Sequence, residues 1–366
     1  MSQLPRIQFN IKRSKEDFYN VLSHRIEEYF KNHGISKHAN PSMVFKSIIV
    51  GALFVASYLL IYWSALPLWA VLSLYGLNGF CAAMIGFNIS HDAVHGSYTS
   101  NKTINGLLGA TFNLLGTSDY VWKIKHNVVH HTYTNIPDHD SDIEDVPLMR
   151  FSLEEPLKPI HRYQHIIMWF MYPFTSITWV FKNDYVNFFR KEWGGMKSPD
   201  HPKREYFRLF AFKILYYFVF LILPMLVLNW AWYIPIIGFV VLHAVEGLTL
   251  AIVFQMAHIV EGASFPTPDE VGKVEHSWAE HQLMTTVNFA TRSWWANFLF
   301  GGLNFQIEHH LFPAICHIHY PKLAPIVKKT AREFGLPYNE FKTLWAAIGS
   351  HSRMMKALGR PETAMA

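Results

Sequence analysis

The sequence predicts an all-α membrane protein, with four transmembrane helices in two hairpins and a helical cap on the cytoplasmic side. Three observations predict this fold class. Only 16% of the 366 residues are charged, whereas soluble domains carry about 25%. The apolar residues gather into four long runs, and the basic residues avoid the two short segments that join those runs in pairs.

Each of the four apolar runs is long enough to cross a bilayer, which takes roughly 20 residues of α-helix. The first two runs are joined by a few residues around Pro67 and the last two by a similarly short turn, so each pair is predicted to form a hairpin. No linker or shift of composition divides the chain, and residues 1–366 are predicted to form a single domain. The predicted transmembrane helices cover 43–63, 68–88, 207–228 and 232–256, with an N-terminal segment (1–42) and two cap segments (89–206 and 257–366) outside them.

The lysine and arginine residues indicate how these helices are oriented. Seven precede residue 43, twelve lie in 88–206 and ten follow residue 257, whereas neither short turn contains any. Segments rich in lysine and arginine stay on the cytoplasmic side of a membrane. Both termini and the large middle segment are therefore predicted to face the cytoplasm.

The composition excludes several classes of function. Two cysteines, Cys81 and Cys316, allow neither a disulfide framework nor a cysteine-ligated zinc site. The sequence has no Gly-rich phosphate loop, Walker motif or GxSxG motif, and its N-terminus has no apolar signal-peptide core. No nucleic-acid partner is predicted. Histidine is the over-represented type, with 21 in the chain.

Many of the histidines occur in short clusters that follow the second and fourth predicted helices on the cytoplasmic side. Histidines four residues apart share one face of a helix, so each of three short boxes can present two or three imidazoles to one centre. One tetrahedral zinc ion cannot use seven histidines, and two ions are predicted, held in the cytoplasmic cap as a histidine-ligated dimetal site. Imidazole suits zinc, copper, iron or nickel; a thiolate-free site that opens toward lipid favours oxygen-activating iron. The boxes are HDAVH (91–95), HNVVHH (126–131) and QIEHH (306–310), and His258 follows the fourth predicted helix.

The three boxes resemble those of the membrane fatty acid desaturases. The resemblance covers nearly the whole chain, including HHTYTNIPDHDSDIE (130–144) and GGLNFQIEHHLFP (301–313). A third box that opens with glutamine is similar to that of the front-end subgroup, whose members insert a cis double bond between an existing one and the carboxyl end of an acyl chain. The resemblance implies two iron ions, O₂ as co-substrate and nine ligand positions: His91, His95, His126, His130, His131, His258, Gln306, His309 and His310.

The resemblance also implies partners and a location. The expected substrate is a fatty acyl lipid or an acyl-CoA. Many front-end desaturases carry a fused cytochrome b5 domain with an HPGG haem motif, but no HPGG occurs here and the segment before the first helix is short for such a domain. An external electron donor is therefore expected, either ferredoxin or cytochrome b5 with its reductase. The expected location is a bacterial inner membrane, with the endoplasmic reticulum as the alternative.

Carboxylates in and near the boxes are predicted to hold the imidazoles in their tautomers. Asp92 and Glu308 lie inside boxes, and Asp138 and Asp142 belong to an acidic run that follows the second box. A solvated loop is the alternative interpretation of this run, which also contains Asp140 and Glu144.

Three other functions fit parts of the pattern. A hydroxylase or a related oxygenase can use the same scaffold, and QIEHHLFP (306–313) favours desaturation over it only weakly. A histidine-rich metal transporter predicts ionisable residues along several spans, whereas the first two spans contain almost none. A non-catalytic membrane scaffold explains the helices but leaves the boxes without a purpose.

Overall fold

A computed structural model describes residues 5–10, 17–63, 65–143 and 148–361. The described chain is largely helical, and four of its helices are long and apolar enough to cross a membrane. The predicted all-α membrane fold is confirmed. In chain order the helices are α1 (Phe18–His33), α2 (Pro41–Leu60), α3 (Leu68–Val94), α4 (Lys102–Gly109), α5 (Thr111–Leu114), α6 (119–133), α7 (164–188), α8 (Lys203–Val227), α9 (Tyr233–His258), α10 (Trp278–Thr285), α11 (Trp294–Leu299), α12 (Gln306–Leu311), α13 (Tyr320–Glu333) and α14 (Leu344–Leu358).

Helices α3 and α9 form the centre of the bundle, and α2 and α8 lie on its outside. In its apolar stretch α3 is 50% buried and α9 is 44% buried, against 22% for both α2 and α8. The outer helices expose large apolar side chains, as suits a surface in contact with lipid. Both central helices end at candidate ligands, so the most buried pair positions His91 and His258.

Glycine residues allow α3 and α9 to approach each other closely. A Cβ atom on Gly79 of α3 would lie 2.1 Å from the backbone oxygen of Leu242 on α9. A Cβ atom on Gly238 of α9 would lie 2.4 Å from the ring of Tyr75 on α3. Small residues at such contacts are typical of membrane helix pairs, whose association depends on close van der Waals packing. This contact therefore fixes the spacing of the two helices that carry ligands out of the apolar layer.

Two helices contain π-helical stretches next to the histidine boxes. One covers Gly86–Ser90 in α3 and the other covers Lys123–His130 in α6. Helix α3 continues to Val94 instead of ending at residue 88, and it therefore carries His91 within its last turn. Such stretches are rare and often lie at functional sites.

Buried polar side chains attach α7 to the membrane helices. The ammonium group of Lys213 on α8 lies 2.8 Å from the carboxylate of Asp184 on α7. The imidazole of His243 on α9 lies 2.9 Å from the hydroxyl of Ser176 on α7 and 3.1 Å from that of Tyr216 on α8. Unpaired polar groups at membrane depth are costly, so these contacts hold α7 against α8 and α9.

The cap is built around α12. Its hydrophobic core joins α1, α10, α12 and α13 through Leu22, Leu283, Ile307 and Leu323. Three pairs of short strands connect other described segments. Strand β1 (Gln8–Phe9) is parallel to β4 (Lys273–Val274), β2 (Glu192–Trp193) is antiparallel to β3 (Met196–Lys197), and β5 (Asn288–Phe289) is parallel to β6 (Glu340–Phe341).

Candidate metal centre

The first of two histidine clusters combines residues from three helices. The end of α3 supplies His91 and the following His95, α6 supplies His126, and α12 supplies His309. One ring nitrogen from each lies within 4.8 Å of those of the others. His95 is partly buried and the other three are buried. We call this group cluster A.

The second group, cluster B, consists of His130 on α6, His258 at the end of α9 and His310 on α12. Its ring nitrogens also lie within 4.8 Å of one another, and all three side chains are buried. Successive residues of α12, His309 and His310, therefore serve different clusters. Two neighbouring groups of imidazoles fit the prediction of two ions better than a single site does.

The two remaining predicted ligands lie beside these clusters. The ring of His131 is 4.7 Å from that of His309 in cluster A and 4.4 Å from that of His310 in cluster B, between centroids. Gln306 is buried at the start of α12, and its Oε1 atom has no hydrogen-bond partner among the described residues. All eight predicted histidines are thus brought together; metal binding by them and by Gln306 stays a prediction.

Acceptor groups set the tautomers of cluster B. The Nδ1 atom of His130 lies 3.1 Å from both carboxylate oxygens of Asp140. The Nδ1 atom of His310 lies 2.9 Å from Oε1 of Gln282, and that of His258 lies 3.3 Å from a backbone oxygen at the end of α10. Because these partners can only accept, each Nδ1 carries the proton and donates it. The Nε2 lone pairs of all three imidazoles are then available to a metal ion.

The state of the imidazoles fits metal binding. Burial lowers the pKa of His126, His131, His309 and His310 well below the usual value, so these rings are neutral at physiological pH. Buried polar atoms normally have a partner, and a metal ion at each cluster provides one. Within the described chain, the Nε2 atoms that have no hydrogen-bond partner include those of His91, His95, His258, His309 and His310.

Two carboxylates after the second box, those of Asp140 and Asp142, contact His130. The sequence predicted Asp138 and Asp142 for this role. Asp140 is fully buried, and an oxygen of Asp142 lies 3.3 Å from Nδ1 of His130. Burial alone lowers the pKa of His130, but these two carboxylates together raise it above its usual value. Asp138 is solvent-exposed in a left-handed turn with a φ of 61°. The structure thus places Asp140 in the supporting position predicted for Asp138; Glu144 lies outside the described residues.

The two carboxylates inside the boxes are both buried. Glu308 accepts hydrogen bonds from the amide of Asn288 at 2.7 Å and from the hydroxyl of Tyr338 at 2.9 Å. Burial raises the pKa of Glu308 to about 7, and the two hydrogen bonds oppose this rise. The amide oxygen of Asn288 also accepts from a backbone N–H in the first turn of α12. In box one, an oxygen of Asp92 lies 3.8 Å from Nδ1 of His91.

Gln282 and Asn288 are supporting residues that the sequence analysis missed. They contact His310 and Glu308 from 28 and 20 residues away. The local signal near Gln282 is a capping box, in which the Ser277 side chain caps the N-terminus of α10. The capping box predicts that a helix begins there. It does not predict that Gln282 contacts His310, because that contact depends on how the helices pack.

A cavity of about 460 Å³ opens onto both clusters. It is lined by His126 of cluster A and by His130 and His258 of cluster B. Its volume lies within the usual range for small-molecule sites, about 300–1,000 Å³. A second cavity, of about 30 Å³, is lined by His91 and other residues of α3 and by residues of α9. The two cavities share the aromatic side chains of Trp122, Trp179 and Phe254 in their linings, so they lie next to each other beside the histidines.

Asp140→Asn is expected to weaken metal binding at cluster B. The amide keeps the shape of the side chain but removes the charge that stabilises the Nδ1 proton of His130. Loss of such an outer partner typically lowers metal affinity by about 10- to 100-fold. Competition with a chelator measures this affinity. Asp138→Asn is the matched control, since Asp138 is exposed; an equal loss in both variants would contradict the assignment to Asp140.

Fold and site together define a membrane protein with a polyhistidine centre beside a cavity. The sequence model of the fatty acid desaturase family matches residues 63–342. The chain belongs to this family, and it is an oxidoreductase.

Named relatives match nearly the full chain. An acyl-lipid (8-3)-desaturase of Physcomitrium patens is 38% identical over 95% of this chain and 72% of its own length. An sn-1 linoleoyl-lipid 6-desaturase of Arthrospira platensis is 37% identical over 94% of both chains. The enzyme of that name from a Synechocystis strain is 36% identical over 97% of this chain and 98% of its own. The family predicted from the histidine boxes is confirmed.

Proposed function

We propose that the protein is an acyl-lipid desaturase that uses O₂ and two iron ions to insert a cis double bond into an acyl chain. The observation that carries this proposal is the meeting of two buried histidine clusters at one cavity. The substrate class is supported by the relatives, which are named as acyl-lipid or lipid desaturases. An acyl-CoA is the alternative carrier.

We assign one iron ion to cluster A and one to cluster B. His131 lies close to both clusters and can serve either ion, and Gln306 can contribute its amide oxygen. When bound, the iron pair supplies the oxidising chemistry that unactivated C–H bonds require. The overall reaction removes two hydrogens from adjacent methylenes; with O₂, two electrons and two protons they form two water molecules.

The protein itself positions the acyl chain and keeps the site dry. The C–H bonds of methylene groups are too weakly acidic for a side-chain base to remove a proton. The cavity therefore contributes by orienting the acyl chain. Trp122, Trp179 and Phe254 border both cavities and hold the chain beside the clusters. The larger cavity holds the reacting part of the acyl chain, and its contacts with the acyl chain set which carbons lie next to the irons.

We further propose front-end regiochemistry. Gln306 at the head of the third box supports this, as do the relatives named linoleoyl-lipid 6-desaturases. In a linoleoyl chain, a new bond at carbon 6 lies between the carboxyl end and the existing double bonds. For the substrate of this protein, the same order requires the carbons between the carboxyl end and the existing double bonds to lie beside the two histidine clusters.

We place both termini and the cap in the cytoplasm, with a bacterial inner membrane as the location and the endoplasmic reticulum as the alternative. The distribution of lysine and arginine supports this orientation. An external donor, ferredoxin or cytochrome b5 with its reductase, delivers the electrons. The basic cytoplasmic segments favour long-range attraction of an acidic carrier.

Expression in a host with defined fatty acids tests the proposal. With precursor acids and both donor systems supplied, gas chromatography with mass spectrometry is expected to show a new cis double bond on the carboxyl side of an existing one. A hydroxylated acid would establish the oxygenase alternative. Unchanged lipids, with the protein inserted and loaded with iron, would rule out desaturation of the supplied acids.

A further inference from the structure

A hydrogen-bonded row of buried polar residues joins the first membrane helix to the first histidine box and to the turn that follows the third box. Lys46 on α2 is 8% exposed, and its Nζ atom lies 3.2 Å from Nε2 of His317. The Nδ1 atom of His317 lies 2.8 Å from Oδ2 of Asp92 on α3. The same carboxylate oxygen accepts from the thiol of Cys316 at 3.0 Å. These four residues come from three distant segments and are not members of cluster A or cluster B.

The chemistry of the groups fixes the direction of each hydrogen bond. A lysine ammonium group has donors and no acceptor, so Nε2 of His317 accepts from Lys46. The imidazole proton is then on Nδ1, which donates to Asp92. The hydrogen-bonded row therefore consists of a cation (Lys46), a neutral imidazole (His317) and an anion (Asp92), in that order. A buried charge with a partner of opposite sign is tolerated, whereas removal of one partner leaves the other uncompensated.

This arrangement differs from a third metal site. Asp92, Cys316 and His317 lie within 4.8 Å of one another and are of ligand types. However, the thiol and Nδ1 of His317 both donate to the carboxylate, and the ammonium group of Lys46 occupies the remaining imidazole nitrogen. The thiol and imidazole protons and the adjacent ammonium charge of Lys46 therefore oppose the binding of a cation here.

The network connects the two segments that supply most of cluster A. Asp92 follows His91 directly, and one of its oxygens lies 3.8 Å from Nδ1 of His91. His317 follows α12, which carries His309. The turn at Cys316 is also held to the segment before α2, where its N–H donates to a backbone oxygen at 2.9 Å. Cluster B has separate supports, Asp140 and Gln282, described above.

We propose that Lys46 and His317 are positioning residues for cluster A. They hold Asp92, and Asp92 in turn fixes box one against the turn that follows box three. The inference rests on the proposed function in one respect, that cluster A binds one of two metal ions. Its consequence is selective: loss of the network weakens one metal site and leaves the other intact.

Titration of metal-free protein with Co²⁺ tests this selectivity. Purified full-length protein in detergent is expected to bind Co²⁺ in two steps, each reported by absorption bands of the histidine-bound ion. In Lys46→Met, we expect one step to weaken by about 10- to 100-fold and the other to remain unchanged. Lys213→Met is the matched control, because Lys213 is also a buried, paired lysine of a membrane helix but contacts α7. It is expected to retain both steps, even where its thermal stability falls.

A pair of variants at His317 keeps the inference testable where Lys46→Met does not fold. Glutamine provides an N–H donor for Asp92 and an oxygen acceptor for Lys46, the same polarity as the imidazole. His317→Gln is therefore expected to retain both binding steps, whereas His317→Phe is expected to lose the step that Lys46→Met loses. A purely steric role would rank these two variants the other way, since phenylalanine is closer in shape to the imidazole.

The outcomes separate this inference from the proposed function. Wild-type protein that binds fewer than two Co²⁺ ions refutes the two-metal proposal and, with it, the inference. Wild-type protein that binds two ions, with Lys46→Met unchanged or weakened equally at both steps, overturns only the role of Lys46. Weakening by Lys213→Met of the same single step also overturns it.

Discussion

His130→Ala is expected to abolish double-bond formation, with product falling by more than about 100-fold. Loss of a residue that only supports a metal ligand lowers metal affinity or activity by up to about 100-fold, and loss of a ligand is expected to cost more. His130 belongs to cluster B, lines the larger cavity, and is held in its tautomer by Asp140. Alanine leaves His258 and His310 as the other members of cluster B. The measurement is the amount of new unsaturated acid per unit of membrane-inserted protein, together with the metal content.

His24→Ala is the control for this loss. His24 lies on α1 with a side chain that is 71% exposed, and its nearby charged partner is Glu28 on the same helix. Its replacement is expected to leave product unchanged. Extraction with alkaline carbonate shows whether each variant is inserted in the membrane. Full activity in an inserted His130→Ala protein would remove cluster B from the reaction.

The membrane helices and the histidine boxes could be predicted because their signals are local. A run of apolar residues long enough to cross a bilayer identifies a helix without knowledge of its neighbours. Spacing of four residues likewise places His91 and His95 on one side of α3. The convergence of the boxes is what the two predicted hairpins imply, because they return the boxes to the same side of a membrane.

The positions of individual side chains around the site depend on backbone geometry that the spacing of residues in the sequence does not reveal. Spacing of three or four residues describes side chains on an α-helix, but Lys123–His130 in box two is π-helical, which changes the angle between successive side chains. The choice between Asp138 and Asp140 depended on left-handed turns at Asn135 and Asp138, with φ of 57° and 61°. The π-helical stretch has no signature in one sequence. Asn and Asp tolerate left-handed turns, but the sequence does not show at which of these residues a turn forms.

Gly79→Ala is expected to destabilise the protein by about 1–3 kcal/mol, the usual range for overpacking, and to weaken metal binding at both clusters. The new methyl group meets the backbone oxygen of Leu242 at 2.1 Å, and a backbone oxygen cannot rotate away. Helices α3 and α9 must then separate. Since α3 ends near His91 and α9 ends at His258, the separation moves one member of each cluster.

Gly76→Ala is the matched control for this contact, because it lies on the same helix. There a Cβ atom meets only side-chain atoms, of Val245 at 3.5 Å and of Val241 at 3.7 Å, and both are ordinary van der Waals distances. Alanine is also favoured over glycine inside a helix by roughly 0.5–1 kcal/mol, so stability is expected to hold or rise slightly. Thermal unfolding in detergent and Co²⁺ binding compare the two variants. Equal unfolding midpoints would mean that α3 and α9 are not pressed together at Gly79, and that their contact does not set the spacing of the histidine clusters.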